Sequence, residues 1–246
     1  MNRLSVVIAA YDEEQNIEAL TRRLGSTLGA LAGWHWELVY VVEGRDRTRV
    51  ILEALASEIQ PLRVLYQEKP SGLGNAFRRG FAAVPAESDA VITLDADLNH
   101  QPEEIPRLLA AWQARGADIL VGSRFVDGSH VDGTPLWKRF LSATMNHAMR
   151  FLYGVRVLDK TSGFRIYRRS ALRSIQFVNN DFAFLPEILI RAHHLGLRVV
   201  EEPIRFIFRR EGRSKMAFGR TCMSYLRLLR TRAGRYAAPA DLDLTR

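Results

Sequence analysis

An α/β fold, a single domain with a mostly parallel central sheet flanked by helices, is predicted by two observations. Short apolar runs alternate with helix-patterned stretches through the first 130 residues, the signature of βαβ units whose strands are covered on both faces. The apolar run Ala90–Leu94 then passes directly into Asp95-Ala96-Asp97-Leu98-Asn99-His100. This puts acids at the carboxyl end of a buried strand, the edge where open α/β sheets bind ligands. A chain of 246 residues is long enough to bury a sizeable core.

The elements follow in order. Leu4–Ala10 reads as the first strand, and the acids Asp12-Glu13-Glu14 after it suit the start of a helix over Glu14–Leu31. A strand at Trp36–Val42, a helix over Arg47–Glu58 and a strand at Leu62–Gln67 continue the alternation. Helix Gly74–Ala83 is introduced by the turn-forming Ser71-Gly72, strand Ala90–Leu94 follows, and helix Pro102–Arg115 begins at a proline, which is tolerated in a first turn. Ile119–Gly122 is the next strand. Beyond it come helices at Pro135–Tyr153 and Ala183–Leu195, a strand at Arg198–Phe206, and a loose tail over Ala237–Arg246. The expected division is a catalytic domain over 1–210 and a basic amphipathic segment with its tail over 211–246.

Composition narrows the function classes. The single cysteine, Cys222, excludes an internal disulfide framework and a thiolate metal cluster. No stretch reaches about 18 consecutive apolar residues, and the charged Asp12–Glu14 does not fit a signal peptide, so a cytoplasmic protein is expected. The net charge of +8 is uneven: Arg205–Arg235 holds ten Lys/Arg against the single acid Glu211. Such a segment fits a phosphate-rich partner, whether membrane surface, nucleic acid or phosphorylated substrate, or else a solvated basic face.

The acidic hexapeptide carries the chemistry. Residues two apart on an extended chain point the same way, so Asp95 and Asp97 can share one cation. Carboxylate and amide oxygens, with Asn99 as the third, suit Mg²⁺ or Mn²⁺ with places left for substrate phosphates. The alternative is a strand followed by a turn, since Asp and Asn form turns readily. At the end of the first strand, Tyr11 and Glu13 can hold a base or ribose, or the acids can simply favour a helix dipole. Ser71–Ala76 lacks the third glycine of a dinucleotide fingerprint, with Phe77 in its place, yet such a loop can let backbone approach a diphosphate. The stretches Leu136–Tyr153 and Met216–Leu229 are basic and amphipathic, fitting either an interfacial membrane position or packing on the sheet. His193-His194 reads as helix surface, because adjacent helical residues do not share a face.

Six motifs in order resemble the inverting nucleotide-sugar glycosyltransferases of family two, most closely the dolichol- and polyprenol-phosphate glycosyltransferases. They are Ala9–Glu13, Gly72–Ala76, Asp95–His100, Gly122–Phe125, Thr161–Arg165 and Arg209–Lys215, spanning about Leu4 to Lys215. The resemblance implies a GT-A type nucleotide-sugar-binding fold. It also implies metal-dependent transfer of a hexose, mannose from GDP-mannose being favoured, onto a polyprenyl monophosphate at the cytoplasmic face of a membrane. On the matching positions it implies Asp97, Arg124, Arg209 and Lys215 as catalytic residues and Asp95, Asp97 and Asn99 as metal ligands. Ala10, Tyr11, Glu13, Glu43 and Gly72 would surround the nucleotide, with Asp95, Ala96, Arg139 and Ser214 completing the substrate site. Two departures stand out. Asn99 replaces the usual Gln, and Val41–Thr48 lacks the family's Asp-Asp pair, with Glu43 as stand-in, so this stretch leaves the base unidentified.

Other classes account for less. A sugar-phosphate nucleotidylyltransferase would carry its glycine-rich loop near the N-terminus, and Ala9–Asn16 has no glycine. A nucleic-acid-binding module on Arg205–Arg235 would interleave stacking aromatics, and it leaves the Asp95/Asp97 pair without a purpose. No nucleic acid partner is expected.

Overall fold

The computed structural model describes residues 2–133, 136–208 and 223–228, the side chains of 136–141 and 145 excepted. The chain runs β1 (Asn2–Tyr11), α1 (Ile17–Gly29), β2 (Trp34–Glu43), α2 (Thr48–Leu55), β3 (Leu62–Gln67), α3 (Leu73–Ala83) and β4 (Ala90–Thr93). A 3₁₀ turn at Pro102–Glu104 leads into α4 (Ile105–Ala114), followed by β5 (Ile119–Ser123), β6 (His130–Asp132) and α5 (Leu136–Tyr153). Then come β7 (Arg165–Arg168), α6 (Arg169–Ser174), α7 (Phe184–His194), β8 (Val199–Pro203) and β9 (Arg205–Ile207). Residues 223–228 are helical, a fragment of the expected Met216–Leu229 helix whose other residues lie outside the described ones.

The main sheet has seven strands in the order β3-β2-β1-β4-β7-β5-β8. The α/β, mostly parallel expectation is met: β7 alone runs against its neighbours, pairing antiparallel with β4 and with β5. The sequence reading did not contain β7, β6 or α6. It also joined β8 and β9 into one strand over Arg198–Phe206. In the structure the chain changes sheets at Ile204, whose amide donates to Ser123 O at 3.1 Å and whose carbonyl accepts from His130 N at 3.0 Å. β9 then pairs with β6 in a separate two-stranded ribbon.

Strand alternation divides the core. Val6 and Ile8 face one side, packing with Ile17, Leu20 and Leu24 of α1 and Leu108 of α4. Val7 and Val39 face the other, with Phe77 and Phe81 of α3 and Ile188 and Leu189 of α7. α3 approaches closely because Gly80 has no side chain: a Cβ there would lie 2.4 Å from Val7 Cγ1. α5 joins this second face through Met149 and Tyr153, both buried. The 223–228 helix docks on it as well, Leu228 being buried and its carbonyl accepting from the Tyr153 hydroxyl.

Candidate active site

The topology gathers the site at one edge. Strands β1, β2 and β4 are parallel, so their carboxyl ends bring Tyr11–Glu13, Glu43 and Leu94–Asp97 together. β5 ends in the same direction and supplies Arg124, while β7 runs oppositely and delivers its entering residues, Gly163 to Arg165, to that edge. Two bonds lock this arrangement: Thr93 Oγ1 donates to Gly163 O at 2.7 Å, and Gly122 N to Phe164 O at 2.9 Å. Non-glycine residues adopt left-handed backbone at two points beside the site, Asp12 (φ 50°) and Leu98 (φ 62°). Such conformations are rare for a side chain like leucine and persist where the surroundings over-determine them.

Asp95 sits against Gly163, whose absent Cβ would fall 2.5 Å from Asp95 Oδ1. Asp95 Oδ2 is 3.5 Å from Nδ1 of His100, a buried ring held between Phe164 and Phe206. His100 is pushed down to about 4 by burial, so it is neutral at pH 7. Asp97 accepts from Asn99 twice, from the backbone N at 3.1 Å and from Nδ2 at 2.6 Å. Asn99, expected as a third ligand, thus presents its amide N–H to Asp97 in this structure. Burial raises the pKa of both carboxyls above the ordinary range; Asp95 raises Asp97 further, Arg124 and Arg165 oppose the rise at Asp95, and Glu13 adds its charge to both. Glu13 therefore acts electrostatically on the pair, whereas the sequence placed it with Tyr11 on a base or ribose. Its backbone N is anchored by Thr48 Oγ1 at 2.8 Å, and Asn16 Nδ2 donates to its carboxylate at 2.8 Å.

These acids fit a hard divalent cation. They are carboxylate oxygen donors, and the charge of Asp95 works against that of Asp97, a conflict that a cation removes. No group of three or more His, Cys, Asp or Glu among the described residues forms a metal cage. A cation here would depend on substrate oxygens to complete its shell, the habit of Mg²⁺ at phosphate sites.

The remaining expected residues are placed as follows. Ala10 and Ala96 are buried at the ends of β1 and β4, and Tyr11 is exposed beside them. Glu43 is buried and engaged: its carboxylate accepts from Ser71 N at 3.0 Å and from Ser71 Oγ at 2.5 Å, fixing the turn that opens α3. Gly72 (φ 94°) and Gly74 do not open a phosphate cradle on their near side. A Cβ on either would fall 2.3 or 2.1 Å from the carbonyl of Asn180 or Asn179, so these glycines make room for the loop before α7. Arg139 lies on α5, its side chain outside the described residues, as are Arg209, Ser214 and Lys215 entirely.

Arg124 has a partner that sequence reasoning missed. Its Nε and Nη2 lie 2.7 and 2.8 Å from the two oxygens of Asp159, and its ring neighbour is Phe206, at 5.2 Å. Asp159 is fully buried; burial works against its charge, but the Arg124 guanidinium holds the carboxyl below the ordinary range. Arg165 was quoted only as part of a motif. It is wholly buried, and its guanidinium donates to the carbonyls of Lys160, Ser162 and Leu185 at 2.8 Å each. This ties the 160–163 turn to α7. The sequence signal was the motif Thr161–Arg165, which holds Arg165 and follows Asp159 closely, and nothing in its spacing pointed to Arg124.

The profile of the family described as Glycosyl transferase family 2 matches residues 5–176. A dolichol-phosphate mannosyltransferase from Pyrococcus furiosus is 36% identical over 228 residues, 92% of this chain and 62% of its own length. The chain therefore spans less than two thirds of that relative. A polyprenol monophosphomannose synthase from Mycolicibacterium smegmatis is 35% identical over 222 residues, 87% of this chain and 81% of its own. Among solved structures, glucosyl-3-phosphoglycerate synthase from Mycobacterium tuberculosis, crystallised with Mn²⁺, UDP-glucose and phosphoglyceric acid, superposes with a TM-score of 0.70 at 23% identity. That likeness covers 95% of this chain and 80% of the other, and it carries the fold. The acidic strand end, the loops gathered around it and the matched profile agree: this chain belongs to glycosyl transferase family 2.

Proposed function

We propose that the chain transfers a hexose, mannose from GDP-mannose, to the phosphate of a polyprenyl monophosphate at a membrane surface, inverting the anomeric carbon. The observation that carries the reading is the meeting of Asp95, Asp97 and Glu13 with Arg124 at one sheet edge. The two relatives named above, both transferring to polyprenol-type phosphates by name, support the choice of acceptor.

Asp95 and Asp97 would hold a Mg²⁺ or Mn²⁺ ion, which would neutralise the charge growing on the departing nucleoside diphosphate. Asn99 orients Asp97, and neutral His100 accepts from the Asp95 backbone N through Nδ1 at 3.4 Å. Tyr11 and Glu13 flank the nucleoside, with the β1 end at Ala10 as floor. The nucleophile, a phosphate oxygen, is ionised near neutral pH, so no strong general base is needed. What the protein must supply is positive charge that lets two anions meet. Arg124 does this from β5, and Arg209 and Lys215 do so from further along the chain.

A lipid acceptor accounts for two surface features. Phe151 at the end of α5 is 90% exposed, and Met223 and Leu226 of the last described helix are about half exposed. In sequence, Met223 and Leu226 lie within Arg205–Arg235 and its ten Lys/Arg, a composition suited to the headgroup boundary of an anionic leaflet. No helix among the described residues is long and apolar enough to cross a membrane.

The test offers GDP-mannose, UDP-glucose and other nucleotide sugars to the protein with vesicles bearing polyprenyl phosphate, with and without Mn²⁺. Transfer of mannose from GDP-mannose to the lipid, lost on chelation, is expected. Transfer only to a water-soluble acceptor such as 3-phosphoglycerate would overturn it. In the same preparation the protein should sediment with anionic vesicles at low salt, leave them at high salt, and ignore neutral ones; failure to sediment refutes the interfacial reading.

A further inference from the structure

Arg124 directly follows β5 at the edge where the site gathers, yet its orientation is decided elsewhere. Its backbone N, Nε and Nη2 all donate to Asp159, at 3.0, 2.7 and 2.8 Å, and Nη2 also reaches Thr161 Oγ1 at 2.8 Å. The Nε/Nη2 edge of the fork is thus consumed within the protein. Asp159 in turn is saturated, accepting also from Thr161 N at 3.3 Å and Ser162 N at 3.0 Å. A second carboxylate stands behind it: Glu201 of β8 accepts from Leu158 N at 2.6 Å and from Asp159 N at 2.9 Å. Two carboxylates in series therefore define where the guanidinium sits.

A buried ion pair of this kind is poor evidence of added stability, because desolvating both charges offsets their attraction. Its strength is geometric: a two-point Arg–carboxylate contact fixes the plane and direction of the fork.

We propose that Asp159 is a positioning residue for the transfer reaction: it clamps one edge of Arg124 so that the other, Nη1, edge is presented to the acceptor phosphate, with Glu201 setting Asp159 in place. This rests on the proposed role of Arg124 toward that phosphate. The clamp also keeps the guanidinium from folding onto Asp95, whose charge already acts on it. Without Asp159, Arg124 would bind its own active-site acid and compete with the cation.

The test is a double-mutant cycle on the full chain, read by steady-state transfer, nucleotide titration and thermal melting. Asp159→Asn keeps the shape and removes the charge and one of the two acceptor contacts. It is expected to raise the acceptor KM and lower kcat, about tenfold or more in kcat/KM, with nucleotide affinity changed less than about twofold. In an Arg124→Ala background the same substitution should add less than about twofold, because its partner is already gone. Glu201→Gln should give a weaker form of the same pattern, and Asp159→Glu with Arg124→Lys should not restore the two-point geometry. Additive losses from Asp159→Asn and Arg124→Ala, or a loss of nucleotide affinity in step with turnover, would overturn the proposal. If Asp159→Asn does not fold, Glu201→Gln decides the outcome by the same split. Wild-type protein that transfers nothing to polyprenyl phosphate refutes the functional reading instead, so the two failures are distinguishable.

Discussion

Gly163→Ala is the smallest change that strikes the reaction centre. The added methyl would stand 2.5 Å from Asp95 Oδ1 and 3.1 Å from its Cγ, where ordinary contact begins at 3.4 Å, so about 0.9 Å must be found. The backbone cannot supply it: Gly163 O is held by Thr93 Oγ1 at 2.7 Å, and Phe164 O by Gly122 N at 2.9 Å. Gly163 also sits in ordinary backbone conformation, so alanine brings no torsional strain of its own. The Asp95 carboxylate is the group that moves, away from Gly163. A displacement near 1 Å in a catalytic group costs about 10²-fold in rate. The expected result is a drop of that order in kcat with a higher Mn²⁺ requirement, while the melting temperature falls only a few degrees, since the side chain can give. The assay is steady-state transfer over a Mn²⁺ titration, paired with a melt. Turnover within about threefold of wild type in a cooperatively folded Gly163→Ala protein would show that Asp95 is not held where the reaction needs it.

Asp97→Ala should abolish transfer while the protein melts cooperatively, and full turnover by that variant, or activity indifferent to exhaustive chelation, would remove the cation from the scheme. Gly80→Ala drives a Cβ to 2.4 Å from Val7 Cγ1 and should destabilise by about 1–3 kcal/mol, whereas Gly29→Ala meets nothing within 4 Å and should stabilise by up to about 1 kcal/mol; denaturant titration reads both signs. Lys160 is buried, its ammonium donating to the Asn146 carbonyl at 3.0 Å and to the Val157 carbonyl at 2.5 Å, and burial lowers its pKa from 10.5 to about 8. Between those values the unfolded chain binds the extra proton, so wild-type stability should rise with pH relative to Lys160→Met from about pH 8 to pH 10, and a pH-independent difference would contradict it.

The parallel strands were legible because burial on both faces writes them as apolar runs, as in Leu4–Ala10 and Ala90–Leu94. β7 was not, since Arg-Ile-Tyr-Arg begins with a side chain that belongs on surfaces, and only the carbonyls of Lys160, Ser162 and Leu185 make its full burial tolerable. The break at Ile204 was invisible for a similar reason: β8 and β9 read as one run, and the partner strand β6 is only three residues long. At the site, Asp95 and Asp97 were readable as acids directly after a buried strand, but that strand ends at Thr93 and Asp97 lies in a turn, so extended-chain alternation is not what places them. Glu43 and the Gly72–Gly74 turn were harder. Their occupants, Ser71 and the Asn179–Asn180 carbonyls, come from local turn geometry and from a loop about a hundred residues away. Sequence names a residue's chemistry more readily than it names the neighbour that engages it.

The antiparallel strand at the centre of the sheet also sets an order of assembly. β4 and β5 are made early but do not touch; each waits for residues 165–168, which lie between them. Until that segment emerges from the ribosome, β4 is a fully buried-type strand with one open flank, the kind of edge that recruits other chains. A fragment ending before Arg165 should therefore be sticky rather than merely inactive. The same insertion brings Gly163 against Asp95, so joining β4 to β5 and shaping the acidic edge are one event. A half-made polypeptide then has no assembled centre with which to squander an activated sugar.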